Sequence, residues 1–233
     1  MGSKNLLKKA AKHIRQGTLS NAVYKKLCKN YIRKGRCKKF YEYLRTLYNI
    51  NRYGWFAPRV GEIIWVNPNN CTMAITNTKA LCGISNPQDS SGIVIESLWP
   101  FEIVKPIFDI SKFKHCRDRY IYGIPWEKTG RYYIMEKLIK QKGQHDGCKN
   151  TNDYIKRYED LDRIFEQVKK EGKLRKSKQL PIVHIGPNGK LYWGRGSAQH
   201  RTAIAHILGI PYRAKIGCVH FSAIPYLKEY RKG

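Results

Sequence analysis

A glycine-containing turn before a helix, close to the carboxyl end of the chain, has residue types suited to binding an anion. The turn contains Gly194 and Gly196, and the stretch AQHRTAIAHIL that follows Ser197 has the pattern of a helix ending at Gly209. Glycine lets a backbone approach a ligand closely, and the free N–H groups of a helix's first turn bind anions. We therefore expect Ser197 to cap this helix and the turn to hold a phosphate.

Cationic side chains surround the same turn. Arg195 precedes the helix, and His200 and Arg201 lie near its start. A cation at a helix N-terminus is unfavourable unless an anion offsets it, so these residues favour a bound phosphate. The alternative is an ordinary junction in which Arg195 faces solvent and His200 packs in the core, because His200 shares a helix face with Ile204.

The elements around this turn predict an α+β domain over residues 56–233. LPIVHIG and KLYW read as two strands joined by a tight turn at Pro187-Asn188-Gly189, and IPYRAKIGCVH reads as a strand after the helix. Short β-rich segments are expected in residues 60–98. Residues 99–128 have the prolines of an irregular region, and helices are expected over about 130–143 and 158–171.

The order of hairpin, glycine loop, helix and strand resembles the core of the ParB/sulfiredoxin superfamily, over about 154–220. The residues that carry this resemblance are His-Arg-x-Ala-Ile-Ala from His200 and the strand that starts at Ile210-Pro211 and ends at Val219-His220. The segment Gly123–Thr129 and the V-H-I-G-x-x-G hairpin further resemble uncharacterised members of surface-glycan biosynthesis neighbourhoods.

This resemblance implies a bound nucleotide, ATP or CTP, with Mg²⁺ bridging its phosphates. The residues implied to hold the nucleotide are Gly194, Arg195, Gly196, Ser197, His200, Arg201 and Thr202. Sulfiredoxin has a reactive cysteine before His-Arg, which this chain lacks, so sulfinic acid reduction is not expected. The free-serine kinases of the superfamily share His-Arg-Thr but have an Asp and a Gly that are missing here.

The leading functional hypothesis is a Mg²⁺-dependent phosphotransferase that acts on a small or lipid-linked acceptor. Such an enzyme needs a carboxylate to orient or deprotonate the acceptor. The candidates are Glu159 and Asp162, which are three residues apart and share a helix face, and His200 completes the set of candidate catalytic residues. No metal site built from protein ligands is expected, because none of the seven cysteines forms a Cys-x-x-Cys pair.

Residues 1–55 are expected to form a basic, helical extension. Residues 1–52 contain 15 Lys or Arg and one acidic residue, and therefore hold half of the chain's net charge of +28. Their apolar residues recur at helical spacing between the cations. Such helices bind an anionic membrane surface, follow a phosphate backbone, or present a solvated face, and we favour the membrane surface over DNA.

Two other functions remain open from the sequence. The chain could be a DNA-binding ParB-like clamp or nuclease, or a non-catalytic, nucleotide-regulated module of a membrane surface. The composition excludes a disordered chain, and the seven cysteines are too sparse for a disulfide-rich secreted domain. The N-terminal residues lack the apolar core of a signal peptide. We expect a cytoplasmic protein, with peripheral attachment at the inner membrane surface if the basic helices bind lipid.

Overall fold

Residues 38–177, 179–196 and 198–232 are described by the computed structural model of the chain. The α-helices of this part are α1 (Lys38–Tyr53), α2 (Thr78–Cys82), α3 (Ser111–Tyr120), α4 (Arg131–Lys142), α5 (Thr151–Glu171), α6 (Gln199–Leu208) and α7 (Leu227–Tyr230). Its strands are β1 (Ile63–Val66), β2 (Met73–Ile75), β3 (Val94–Ile95), β4 (Val104–Pro106), β5 (Ile182–Ile185), β6 (Leu191–Trp193) and β7 (Tyr212–His220). Short 3-10 turns lie at Pro68–Asn70, Pro87–Ser90, Phe101–Ile103, Ile107–Asp109, Pro187–Gly189 and Phe221–Tyr226.

The seven described strands form one mixed sheet. Its order is β1-β7-β5-β6-β2-β4, and β3 pairs with β7 beside this path. The pairs β1–β7, β5–β6 and β2–β4 are antiparallel, whereas β5–β7, β3–β7 and β2–β6 are parallel. This combination of helices with a mixed sheet agrees with the α+β class expected from the sequence.

The predicted β5–β6 hairpin is present, and its turn has the backbone that the sequence requires. Asn188 and Gly189 both have positive φ angles, of 57° and 77°, which asparagine and glycine tolerate best. All the residues of β5 and β6 are buried, which explains why both strands read as apolar runs rather than as alternating patterns. The hairpin therefore lies in the interior of the sheet.

The region over residues 99–128 is more regular than expected. It contains β4 and the ten-residue helix α3. The helix can form because Pro100, Pro106 and Pro125 all lie outside it. α3 buries Phe113 and Cys116 and packs against α6. The expectation of an irregular segment here is wrong, and the difference matters because α3 faces the candidate site.

Helix α5 begins earlier than the expected start at Tyr158. Asn150 caps it, and the Asn150 side chain accepts a hydrogen bond from the Asp153 N–H at 3.0 Å. The helix buries Tyr154, Tyr158 and other large side chains along one face and contacts both α4 and α6. These extra turns carry Asp153, Lys156 and Arg157, three of the polar residues that line the candidate site.

Helix α1 contains the last residues of the expected extension, and hydrogen bonds join it to the residues that follow. Arg45 Nη1 donates to the Ser91 carbonyl at 2.7 Å, and Asn49 Nδ2 donates to the carbonyls of Pro58 and Gly92, each at 2.7 Å. α1 is therefore packed against the domain expected over 56–233. The basic helices predicted before residue 38 lie outside the described residues.

The core consists of two apolar clusters. The larger one fills the space between the sheet and the helices α3, α5 and α6. The smaller cluster lies around β2, β3, β6 and β7, and its buried members are Ile75, Leu81, Ile95, Trp99, Tyr192 and Cys218. Among the described helices, none has both the length and the apolar character needed to cross a bilayer.

Candidate functional site

The loop between β6 and α6 has an unusual backbone. Arg195, Gly196 and Ala198 have φ angles of 60°, 110° and 63°. Glycine adopts such angles freely, whereas the two non-glycine residues are strained there, and strain of this kind is concentrated at functional sites. The N-cap residue of α6 is Ala198 rather than the expected Ser197, which lies outside the described residues. Ala198 has no polar side chain to cap the N–H groups of the first turn of α6.

Gly194 serves a packing role beneath this loop. A Cβ atom on Gly194 would lie 2.4 Å from His184 Nε2, and one on Gly217 would lie 2.5 Å from His184 Nδ1. The imidazole of His184 is therefore held between two glycines, where no larger residue fits. His184 Nδ1 accepts a hydrogen bond from the Cys218 N–H at 2.9 Å, and complete burial lowers the pKa of His184 to about 3.

A cleft of about 1000 Å³ opens between α5, the loop over residues 143–150 and the start of α6. The cationic residues that line it are Lys112, Lys149, Lys156, Arg157 and Arg201. The acidic residues that line it are Asp146, Asp153 and Asp160. Gly196, Ala198, Gln199 and His200 complete the wall formed by the loop and the first turn of α6.

Several of these cations have no partner among the described residues. Arg157 Nε is buried without a hydrogen bond, and no ion pair joins the side chains of Arg157, Arg201, Lys149 or Lys156 to the rest of the described chain. Lys112 differs, because its Nζ donates to Asp146 at 2.6 Å. Arg157 and Arg201 are partly buried, whereas Lys149 and Lys156 are exposed, so the cleft gathers positive charge that no side-chain ion pair in the described part of the chain neutralises.

The pKa of His200 is affected by the positive charges of the cleft. Its ring is largely buried and meets the ring of Tyr158 edge-on at 5.9 Å between centroids. Burial first, and then the charges of Lys112, Arg157 and Arg131, lower the pKa of His200 to about 3. His200 is therefore neutral at pH 7. It both packs against Tyr158 and lines the cleft.

The structure brings only some of the expected nucleotide-binding residues to the cleft. Gly196, His200 and Arg201 line it. Gly194 and Thr202 are buried beside it, and the Thr202 hydroxyl donates to the Ala198 carbonyl at 2.9 Å. Arg195 is exposed and does not line it. Gly194 and Thr202 therefore lie beneath the loop and the first turn of α6, and Arg195 faces solvent.

The expected catalytic carboxylates Glu159 and Asp162 do not line the cleft. They share a face of α5, as their spacing predicts, but the cleft is lined by residues such as Asp153, Arg157 and Asp160 from the opposite face. Asp162 accepts hydrogen bonds from Arg119 Nη2 at 2.7 Å and from the indole of Trp126. The Asp162 carboxylate is thus bound by two neighbouring side chains. The Glu159 side chain is exposed.

Of the cations that line the cleft, only Arg201 was predicted from the sequence as a site residue. The helical spacing of Asp153, Lys156, Arg157 and Asp160 could have revealed a polar face on α5, had its start been placed at Thr151. Lys112 gave no such signal, since its helix was not expected. Among the described residues, no three His, Cys, Asp or Glu side chains gather where they could hold a metal ion.

No protein-family model, no curated protein and no solved structure matches this chain. The likeness to the ParB/sulfiredoxin superfamily therefore stays a prediction from the motif around His200.

Proposed function

We propose that the cleft binds the phosphates of a nucleotide, ATP or CTP, and that the protein is a nucleotide-dependent phosphotransferase. The observation that supports this most directly is the pair of arginines, Arg157 and Arg201, that line the cleft without partners among the described residues. The planar guanidinium group matches the geometry of a phosphate and binds it through two parallel hydrogen bonds.

The remaining groups of the cleft fit the same ligand. The positive end of the α6 dipole and its uncapped first-turn N–H groups favour an anion beside Gly196. Lys149 and Lys156 add charge farther along the wall. The neutral His200 has one ring N–H to donate to a phosphate oxygen. An apolar ligand would leave all of these groups desolvated and unpaired.

Phosphoryl transfer also needs a carboxylate near the acceptor hydroxyl. With Glu159 and Asp162 on the opposite face of α5, we assign this role to Asp160, which lines the cleft and whose ion pair with Arg163 is exposed to solvent. Asp146 is less suitable because its carboxylate is already bound to Lys112 and Arg131, and Asp153 accepts a hydrogen bond from the Lys149 N–H. We assign no step to Mg²⁺.

The proposal is tested by calorimetric titration of the full chain with ATP, CTP and inorganic tripolyphosphate, each with and without Mg²⁺. We expect Arg157→Gln and Arg201→Gln each to weaken binding about 10- to 100-fold, because a hydrogen bond to a charged group contributes about 1.5–3 kcal/mol. Arg213→Gln is the matched control, since Arg213 is exposed on β7 and does not line the cleft.

Three results would contradict the proposal. Equal losses in all three variants would show that binding follows net charge rather than the cleft. Binding of tripolyphosphate with the same affinity as ATP and CTP would show that the cleft has no specificity for nucleotides. Binding of a single-stranded oligonucleotide in the absence of any nucleotide binding would favour the DNA-binding alternative.

A further inference from the structure

Strand β1, at one end of the strand order, exposes large apolar side chains on one face of the sheet. Ile64 and Val66 belong to the larger apolar cluster. Because successive side chains of a strand alternate between its faces, Ile63 and Trp65 lie on the other face. There they are 43% and 52% exposed, so no element of the described part of the chain covers them. An exposed indole offers a large, flat apolar surface and is typical of interfaces.

Each of these two side chains has a cation opposite it on β7. The register pairs Trp65 with Arg213 and Ile63 with Lys215. The N–H of the residue after Lys215 donates to the carbonyl of the residue before Ile63, so both pairs are of the type without direct backbone hydrogen bonds. In pairs of that type the side chains of the two strands approach each other most closely. An aromatic ring and a guanidinium group therefore lie side by side on this face.

The segment that leads into β1 has the same two kinds of residue. Trp55 is 67% exposed, and the guanidinium carbon of Arg59 lies 5.1 Å from the centre of its ring. Glu62 is the acidic residue of this segment, and its carboxylate is bound by Arg231. Aromatic rings and cations thus occur together from Trp55 to β1, with no unpaired carboxylate among them.

We propose that this face of β1 and β7 binds single-stranded nucleic acid. Bases stack on the indole of Trp65, and the phosphates between them contact Arg213 and Lys215. Surfaces that bind single strands without reading their sequence combine these two features, because every base has a flat face and every linkage has a charge. None of these three residues lines the nucleotide cleft, so the inference does not rest on the proposed function.

The charge of the surface decides between the possible occupants. Residues 1–37 and a second copy of the chain both have a large positive charge, and they are repelled by Arg213 and Lys215. An anionic bilayer has the required charge but no rings to stack on an indole. A duplex has its bases already stacked on one another. A single strand supplies both the charge and free base faces.

The test compares two probes on the full chain by fluorescence anisotropy, at about 0.2 M salt to suppress binding by charge alone. One is an oligothymidylate of about 20 nucleotides, and the other is an abasic strand of the same length and charge. We expect the strand with bases to bind about tenfold more tightly, since stacking adds to the phosphate contacts. Trp65→Ala should remove most of this preference, and Trp65→Phe should keep it. Tyr133→Ala, which removes an exposed ring from α4, is the matched control.

A second pair of variants tests the cations. Arg213→Gln/Lys215→Gln should weaken binding of both strands severalfold more than Lys169→Gln/Lys170→Gln, which removes the same charge from exposed positions of α5. Calorimetric titration with ATP should give the same result for Trp65→Ala as for wild type, because Trp65 lies outside the cleft.

Four results would overturn the inference. The first is equal affinity of the wild-type protein for the two strands, and the second is equal loss in the two double variants. The third is loss of sedimentation with anionic vesicles in Trp65→Ala while its preference for bases is kept, which would assign the face to a membrane. The fourth is a wild-type dimer in analytical ultracentrifugation that becomes a monomer in Trp65→Ala, which would assign the face to a second copy of the chain.

Discussion

At the scale of single residues, the environment of His200 contributes to the response of the protein to acid, as do those of the buried His184 and His206. Burial and three nearby cations lower the pKa of His200 in the folded protein to about 3, against 6.5 for a free histidine. The unfolded chain therefore binds a proton at this residue that the folded protein does not bind. Between these two values, each unit of falling pH favours unfolding by up to about 1.4 kcal/mol through His200 alone.

We expect the free energy of unfolding to fall as the pH drops from 6.5 towards 3, and to fall less steeply in His200→Gln. Glutamine keeps a polar side chain in the cleft but does not titrate. The difference between the two slopes therefore gives the contribution of His200 to the pH dependence of the free energy of unfolding. Urea unfolding at a series of pH values measures it. His13→Gln, whose position lies outside the described residues, is the control. Parallel slopes for wild type and His200→Gln would show that His200 is protonated in the folded protein.

At the scale of helices and strands, Asp162 joins α5 to α3 and to the loop before α4. Its carboxylate accepts hydrogen bonds from the guanidinium of Arg119 and the indole of Trp126. Arg119 also forms an ion pair with it at 2.7 Å. This contact holds the two helices that carry Lys112 and Arg157 on either side of the cleft, so Asp162 supports the site from outside it.

We therefore expect Asp162→Ala to lower the free energy of unfolding by about 1–3 kcal/mol, because it leaves two donors without an acceptor. Nucleotide affinity, measured by calorimetry at a temperature where the variant is folded, should stay within about twofold of wild type, since the side chain does not line the cleft. Glu159→Ala, an exposed neighbour on the same helix, should change neither quantity. A loss of nucleotide binding in Asp162→Ala without loss of stability would restore the catalytic role expected from the sequence.

The elements that the sequence predicted correctly are those specified by local signals. The β5–β6 hairpin follows from apolar strands on both sides of Pro187-Asn188-Gly189, and α6 follows from helical spacing with a stop at Gly209. Helix α3 was missed because its sequence, SKFKHCRDRY, is mostly polar and its apolar residues are too few to show a period.

The site was less predictable than the fold around it. Of the residues named from the motif, Gly196, His200 and Arg201 line the cleft together, because they are close to one another along the chain. The cations from α3 and α5 reach the cleft only through tertiary packing, which no local pattern specifies. The spacing of Glu159 and Asp162 correctly gave them one face of α5, but it could not show which face points to α6.

At the scale of the whole molecule, two groups of cations stand out: those of the N-terminal residues and those that line the cleft. Residues 1–37 contain 11 Lys or Arg and no acidic residue, and they precede the described part of the chain. The cations of the cleft, such as Arg157 and Arg201, lie far along the sequence and are fixed on helices of the packed domain. The cations of residues 1–37 and those of the cleft can therefore be changed in separate variants.

We expect deletion of residues 1–37 to abolish sedimentation with vesicles that contain anionic lipid, at low ionic strength, while leaving nucleotide affinity unchanged. The domain should stay folded, because the deletion keeps α1 with the bonds of Arg45 and Asn49. Deletion of residues 1–55 removes those bonds and should also lower the free energy of unfolding. Vesicles of neutral lipid are the control for charge, and the double variant Arg157→Gln/Arg201→Gln is the control for the cleft.

The opposite pattern would assign lipid binding to the cleft. If the deletion of residues 1–37 still sediments with anionic vesicles and the double arginine variant does not, the cations of the cleft bind lipid phosphate, and the two basic regions are not independent. Sedimentation that persists in both proteins would place the lipid contact on another surface of the domain. Loss of sedimentation in the deletion variant alone supports the proposal that residues 1–37 attach the protein to a membrane and that the cleft binds the nucleotide.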